Sequence, residues 1–314
     1  VAFAGFGEPL MHPRFVEMVQ LAHDRGLRTE VTTNALLIDR EKAAQLLDAG
    51  LDQLVVSIDG ASAEAFTDVR TGASLSKVVE NIQLFWQVGQ LGTTLPLTIG
   101  IEFVAMKRNI HELPGLQWVA QMLRASFILV TNVLPYSPEL EDEVLYNLKA
   151  TAFGDQGSPG TPKWILPRMD FSLHTQEPLG KLLRSRANLS YLDIDLNTRN
   201  NHCPFVGEDC LAVDWQGNIC PCPPLMHTYS CVVLGREKEF RHYHVGNLKE
   251  LGVRFLWEQQ DYAAFRQRVR CFDFAPCVDC GGCYMAETNE EDCFGNTFPV
   301  CGDCLWARGI IRCA

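Results

Sequence analysis

The sequence predicts an α/β protein built in two unlike parts, and three observations carry that prediction. Apolar stretches of strand length alternate with helical repeats over roughly residues 1–135. Polar residues recur where those strands end. All thirteen cysteines fall between Cys203 and Cys313, and none precedes them. A cysteine density that high marks a segment held by bridges or metal rather than by a core alone.

The elements follow in order. VAFAG opens as a buried strand running into a glycine-rich loop. HPRFVEMVQLAHDRG then places Phe15, Met18, Val19 and Ala22 at helical spacing, with Gly26 as a stop. LRTEVTTN is a strand ending on Thr32, Thr33 and Asn34. DREKAAQLLDAG is a helix with an Asp39 cap and a Gly50 terminus. LDQLVVSIDG is a strand carrying Ser57, Asp59 and Gly60 at its carboxyl end. ASAEAF and the stretch from Ser74 to Gln90 are helical. LPLTIGIEFVAM reads as a strand, HELPGLQWVAQMLRA as a helix and FILVTNVLP as another strand. Repeated strand–helix units imply right-handed parallel crossovers. Ligands of parallel α/β folds sit at strand carboxyl ends, which singles out Glu8, Asn34, Ser57 and Asp59. GDQGSPGTPK is the strongest internal boundary, and YLDIDLNT reads as one more strand before the cysteines.

Composition narrows the function. Hydrophobic residues make up 47% and charged residues 21%, as in ordinary globular proteins. A net charge of −11 disfavours sequence-independent nucleic-acid binding and anionic membrane surfaces. No apolar run reaches the length of about 18 residues needed to span a bilayer. The expected partners therefore include neither nucleic acid nor membrane.

Three chemistries compete for the cysteines. A disulfide scaffold suits neither the odd count nor three cysteines packed into CVDCGGC. Cys280, Cys283, Cys301 and Cys304 form two CxxC pairs at a zinc-like spacing. Four-thiolate iron–sulfur clusters use similar pairs together with distant single cysteines. Soft sulfur ligands suit iron–sulfur and zinc alike, so spacing leaves both open.

At this point the motifs resemble a known family. GFGEPL at 5–10 is similar to the GGEP loop of radical S-adenosylmethionine (SAM) enzymes. TTNALL at 32–37 resembles their TNG-type strand end, and SIDG at 57–60 with DVRTGASLSKVVENI resembles their fourth-strand region. These come in family order. The tail resembles the SPASM extension: Cys203, Gly217 and Cys222 fit its opening, and HVGNLKELGVRFLWEQQDYAAFR fits its GN…W…Y..FR segment. DCFGNTFPVCGDCLWARGIIRC is similar to maturases associated with tungsten-containing oxidoreductases. The family's CxxxCxxC, which holds the SAM-binding cluster, has no counterpart here. With Val1 as the first residue, the resemblance implies a chain truncated at its N-terminus that does not cleave SAM alone.

The resemblance implies a partial (β/α)6 TIM-like barrel over 1–136, a connecting segment over 137–200 and an auxiliary-cluster domain over 201–314. It implies SAM and [4Fe–4S] cofactors, about two of the clusters auxiliary. Gly5 and Gly7 would allow close backbone approach to SAM, and Glu8 would accept from its ammonium. Asn34, Ser57 and Asp59 would meet its other polar groups, and Arg70 its carboxylate. One cluster would use Cys203, Cys210 and Cys222 with one later cysteine. A second would draw on Cys277, Cys280, Cys283, Cys301, Cys304 and Cys313. The implied function is reductive SAM cleavage with modification of a peptide or protein. A ferredoxin- or flavodoxin-type donor and a cytoplasmic location go with it. A zinc-ribbon interaction protein and an electron-transfer module without SAM chemistry are the competing functions.

Overall fold

Parallel strands whose crossovers are helices must bury one sheet face under those helices. The computed structural model shows this arrangement. It describes residues 1–5, 7–69, 74–92, 97–146, 163–166, 188–191, 194–195, 202–275, 277 and 283–312. Side chains are described for these except at 67–69, 90–92 and in the three short segments between 163 and 195. The chain forms two units: residues 1–133, 142–145 and 312–314, and residues 134–141 with 146–311.

The first unit holds β1 (Ala2–Phe3), β2 (Glu30–Thr33), β3 (Gln53–Ser57), β4 (Thr98–Ala105) and β5 (Phe127–Asn132), ordered β1-β2-β3-β4-β5. Every pairing is parallel. Helices α1 (Phe15–His23), α2 (Arg40–Asp48), α3 (Ala63–Val69), α4 (Leu75–Gly92) and α5 (Leu116–Leu123) supply the crossovers. Val31, Leu54, Val56, Ile99, Ile101 and Phe103 join residues of these helices, such as Val19, Leu46, Ile82 and Val119, in one buried core. The period of two along each strand sends the alternate residues, among them Ser57 and Glu102, to the opposite face.

Local chemistry accounts for the boundaries. The Asp39 carboxylate accepts from the Lys42 amide and starts α2, and Gly50 takes the left-handed conformation (φ +79°) just past its end. The helix expected over HELPGLQWVAQMLRA instead opens as a tight 3-10 turn, Ile110–Gly115, before α5. Pro114 lacks the amide that a longer α-helix would need there. The first strand is only Ala2–Phe3, with Gly5 at φ +138° immediately after it.

In the second unit, β6 (Lys163–Leu166), β7 (Asn188–Tyr191) and β8 (Ile194–Asp195) form a small sheet; of the strand expected at YLDIDLNT, Tyr191 ends β7, Ile194–Asp195 is β8, and the other residues lie outside those described. β9 (Ala212–Val213), β10 (Asn218–Cys220) and β13 (Gly246–Asn247) form a second sheet, and β11 (Tyr229–Val233) pairs with β12 (Arg236–Phe240). The expected hairpin at Gln216–Gly217 is present. The Asp214 carboxylate accepts from the Gln216 and Asn218 amides, and Gly217 sits at φ +91°. Helices Val253–Glu258 and Gln260–Cys271 follow. Their W…Y..FR pattern has a physical reason: the Arg266 guanidinium lies 3.9 Å from the Trp257 ring centre and 4.4 Å from that of Tyr262. Such cation–π stacking ties the two helices together. Among the described residues no helix is long and apolar enough to cross a membrane.

Candidate functional site

The parallel strands of the first unit end along one edge, so the loops after β1, β2 and β3 lie side by side. Glu8 is the hub. Its Oε1 accepts from the Leu10 amide (3.1 Å) and the Thr33 hydroxyl (2.6 Å), and its Oε2 from the Asn34 amide (2.8 Å). A carboxylate offers about four acceptor sites, so roughly one remains for a ligand. Glu8 therefore rivets the GFGEP loop to the end of β2. The Asn34 side chain accepts from the Leu36 amide, and buried Asn81 of α4 donates to the carbonyls of Ala35 and Leu36.

The β3 end is braced in the same way. The Asp59 carboxylate accepts from the Val104 amide (3.2 Å). Asn109, fully buried, donates to the carbonyls of Asp59 and Val104. The Glu112 carboxylate accepts from the amides of Ala61 (2.9 Å) and Ser62 (2.7 Å). Burial pushes the Glu112 carboxyl up, but these amide bonds outweigh it and hold the group below the usual range. A β-carbon on Gly60 would stand 2.5 Å from the Phe66 amide nitrogen, so only glycine lets α3 pack against this loop. Gly5 and Gly7 are exposed with open space about them. Ser57 is half-buried and in register with Glu102. Arg70 lies outside the described residues. Sequence reasoning missed Asn81, Asn109 and Glu112, and also Glu102, whose place on the non-helical face follows from strand alternation.

In the second unit the structure gathers Cys203, Cys222, Cys301 and Cys304. Each pair among the four interacts electrostatically. Cys203, Cys222 and Cys301 also pack on one apolar cluster with Tyr262, Phe265 and Val300. Cys203 and Cys222 each precede a proline and a tight turn. Amides of those turns point back at the sulfurs: Val206 N–H donates to Cys203 Sγ at 3.5 Å, and Leu225 N–H donates to Cys222. Amides of Trp306 and Ala307 do the same for Cys304. Donors of this kind stabilise thiolate or cluster sulfur. Each residue keeps some exposed surface, yet the sulfurs of Cys222, Cys301 and Cys304 are enclosed. Burial, reinforced by the neighbouring sulfurs, pushes the Cys222 and Cys301 thiols well above their usual range, and burial moves Cys304 to about 11.

This grouping differs from the expected one. Cys301 and Cys304, assigned above to the second cluster, stand with Cys203 and Cys222, because the chain's last loop returns to the turns that start at Pro204 and Pro223. Cys210 is exposed, its thiol near the Glu208 carbonyl, although its charge is felt at Cys203. Cys277 is buried against Ala275 and Ala286, and Cys283 is exposed beside a cleft of about 860 Å³ lined in part by Arg236 and Tyr284. Cys280 and Cys313 lie outside the described residues.

The donor set fits a cluster. A single tetrahedral zinc with Zn–S near 2.3 Å draws its thiolates to within about 3.8 Å of one another. Among the described residues, no three His, Cys, Asp or Glu side chains come together closely enough to hold one ion. The four cysteines interact pairwise at one place, and four thiolates are the donor set an iron–sulfur core uses. Cations stand near: Lys238 and Arg268 by Cys301, and Arg308 by Cys304.

Residues 1–104 match the radical SAM superfamily, and residues 203–284 match SPASM, an iron–sulfur cluster-binding domain. These two domains imply SAM and iron–sulfur clusters as cofactors. Over its whole length it is 28% identical to the tungsten-containing aldehyde ferredoxin oxidoreductase cofactor-modifying protein of Pyrococcus furiosus, covering 83% of that protein. It is 34% identical over 142 residues to the PqqA peptide cyclase of Rhodopseudomonas palustris, which is 45% of this chain and 36% of that one. The fold is similar to that of Streptococcus suis SuiB bound to S-adenosylmethionine, with a TM-score of 0.53 and 16% identity over 90% of this chain and 61% of SuiB. It also resembles native anSMEcpe with bound AdoMet, with a TM-score of 0.52 and 17% identity over 93% of this chain and 76% of that one. The chain thus spans less than two thirds of the peptide cyclase and of SuiB.

Proposed function

We propose that this chain provides the SAM-gripping sheet and the auxiliary-cluster domain of a radical SAM enzyme. That enzyme reductively cleaves SAM and modifies a peptide or protein, acting as a maturase. The convergence of Cys203, Cys222, Cys301 and Cys304 carries this reading, because it supplies a four-thiolate cradle within a chain of radical SAM type. Bound SAM and a reduced cluster supply a 5′-deoxyadenosyl radical. The chain's own residues position the cofactor. Glu8 accepts from the SAM ammonium with its remaining lone pair while holding the loop. Gly5 and Gly7 let the backbone come close. Ser57 and Asp59 would meet other polar groups of SAM, Asn34 would line the same cavity, and Arg70 would pair with the carboxylate. The second cluster draws on Cys277, Cys280, Cys283 and Cys313. Domain limits of 1–136, 137–200 and 201–314 organise these roles.

Similarity along the whole chain to the cofactor-modifying protein favours a tungsten-containing oxidoreductase as the partner class, with a ferredoxin- or flavodoxin-type donor and a cytoplasmic location. Protein from the whole gene, purified and reconstituted without oxygen, is expected to release 5′-deoxyadenosine from SAM under dithionite. Elemental analysis is expected to find iron and sulfide. Zinc in their place, with no 5′-deoxyadenosine formed, overturns the proposal.

A further inference from the structure

Two phenols border the four-thiol cradle, and among the described residues neither O–H has an acceptor. The Tyr229 hydroxyl is buried and unpaired, and the buried Tyr262 oxygen has only the Arg266 guanidinium, itself a donor, beside it. Buried polar atoms without partners are uncommon, and each points to a group that completes it.

Tyr262 is 1% exposed and packs in the cluster that receives Cys203, Cys222 and Cys301. Trp257 meets its ring edge-on at 5.7 Å and Phe265 stacks on it at 6.4 Å, so the ring is fixed. Tyr229 interacts with Cys304 and Cys222 of the cradle. It lies in β11, paired in register with Phe240 of β12 and stacked on that ring at 5.3 Å. Two residues along, Cys231 pairs with Lys238, and the Lys238 ammonium bonds the Asp303 carboxylate at 3.0 Å. Asp303 sits between Cys301 and Cys304, so this face of the hairpin is held against the loop bearing two of the sulfurs. Tyr229 interacts electrostatically with Cys304 and Cys222, and Tyr262 with Cys222. A phenol has a rotatable O–H and no charge, so it approaches a sulfur anion as a donor.

We infer that Tyr229 and Tyr262 donate O–H···S hydrogen bonds to the sulfurs of the cluster held by Cys203, Cys222, Cys301 and Cys304, and thereby raise its reduction potential. They are positioning residues that stabilise the more negative, reduced cluster without ligating iron. Hydrogen bonds to sulfur are among the levers that set cluster potentials. The inference rests on the assignment of the four thiols as one cluster's ligands.

The test is an anaerobic redox titration of the reconstituted full chain, followed by electron paramagnetic resonance. The signal of this cluster is the one lost, with its iron, in Cys222→Ala. The double variant Tyr229→Phe/Tyr262→Phe is expected to bind the same iron but to lower the one-electron reduction constant at least tenfold, a shift of about 59 mV to more negative potential. A smaller shift overturns the inference. Should the double variant fail to hold its cluster, protein grown with 3-fluorotyrosine decides, because fluorination makes the phenol a stronger donor. Its potential is expected to move to more positive values, and an unchanged potential overturns the inference. Loss of no iron and no signal in Cys222→Ala would instead remove the ligand assignment itself, which separates the two failures.

Discussion

Lys238 carries its ammonium into a nearly closed site, where it and Asp303 are each 3% exposed. The ammonium donates to the Asp303 carboxylate and to the Ala286 carbonyl at 3.1 Å. Removing Lys238 leaves the buried Asp303 carboxylate with only Arg236, at 3.7 Å from the same oxygen, as its counter-charge in low dielectric. Lys238→Met is therefore expected to cost about 3–5 kcal/mol in urea unfolding, and Lys238→Met/Asp303→Leu to recover most of that loss. Glu8 makes a second test at this scale. Glutamine keeps one carbonyl oxygen and turns an NH2 toward donors. Glu8→Gln is expected to destabilise the first unit by about 1–3 kcal/mol, read from thermal melts. SAM affinity, measured by equilibrium dialysis of the loaded enzyme, is expected to fall with it. Neither role was legible in full. The Glu8 motif stood out, but its three scaffold bonds depend on Thr33 and Asn34 being brought beside it. Lys238 carried no signal, because nothing in its neighbourhood of sequence announces a partner in the 301–304 loop.

The elements show where local chemistry suffices. Asp39 and Gly50 mark the two ends of α2 because a cap and a left-handed turn are properties of a few adjacent residues. Short apolar runs likewise reveal β3 and β4. The loop between β3 and α3 is different: SIDG is visible, but its shape comes from Asn109 and Glu112 on the far side of β4. Glu112→Ala removes two charge-assisted bonds to backbone amides and is expected to cost about 1.5–3 kcal/mol in chemical denaturation. The pH dependence has a definite sign. The Glu112 carboxyl is held below its usual range, so its contribution is present at neutral pH and disappears as pH falls through the folded value. The acid limb of the stability curve is expected to be shallower in Glu112→Ala than in the parent.

At the scale of the molecule, cluster loading is coupled to protons. Burial keeps the Cys222, Cys301 and Cys304 thiols protonated, with Cys304 at about 11, whereas iron binds thiolate. Each ligand must lose its proton on loading, so reconstitution is expected to weaken as pH falls, measured as iron and sulfide retained per chain across a pH series. Without the cluster the sign is that of any raised thiol. The unfolded chain ionises first, near 9, so the stability of the unloaded protein is expected to decline as pH rises toward 11. The chain's last residues add a feature that composition hides. Arg312, between Cys304 and Cys313, belongs to the first unit, where its amide donates to the Thr131 hydroxyl of β5.

By itself the sequence determined the alternation of parallel strands and helices, the edge where Glu8, Asn34, Ser57 and Asp59 collect, and the confinement of sulfur chemistry to the tail. These are properties of short periods, caps and composition, and they need no knowledge of distant contacts. Only the tertiary structure decided which cysteines share a site, which amides and phenols face their sulfurs, and which buried carboxylates brace the loops. The physical reason is that a thiol's partners are selected by where chain reversals bring turns together, as when the loop carrying Cys301 and Cys304 returns to Cys203 and Cys222. Spacing along the chain carries no record of that return.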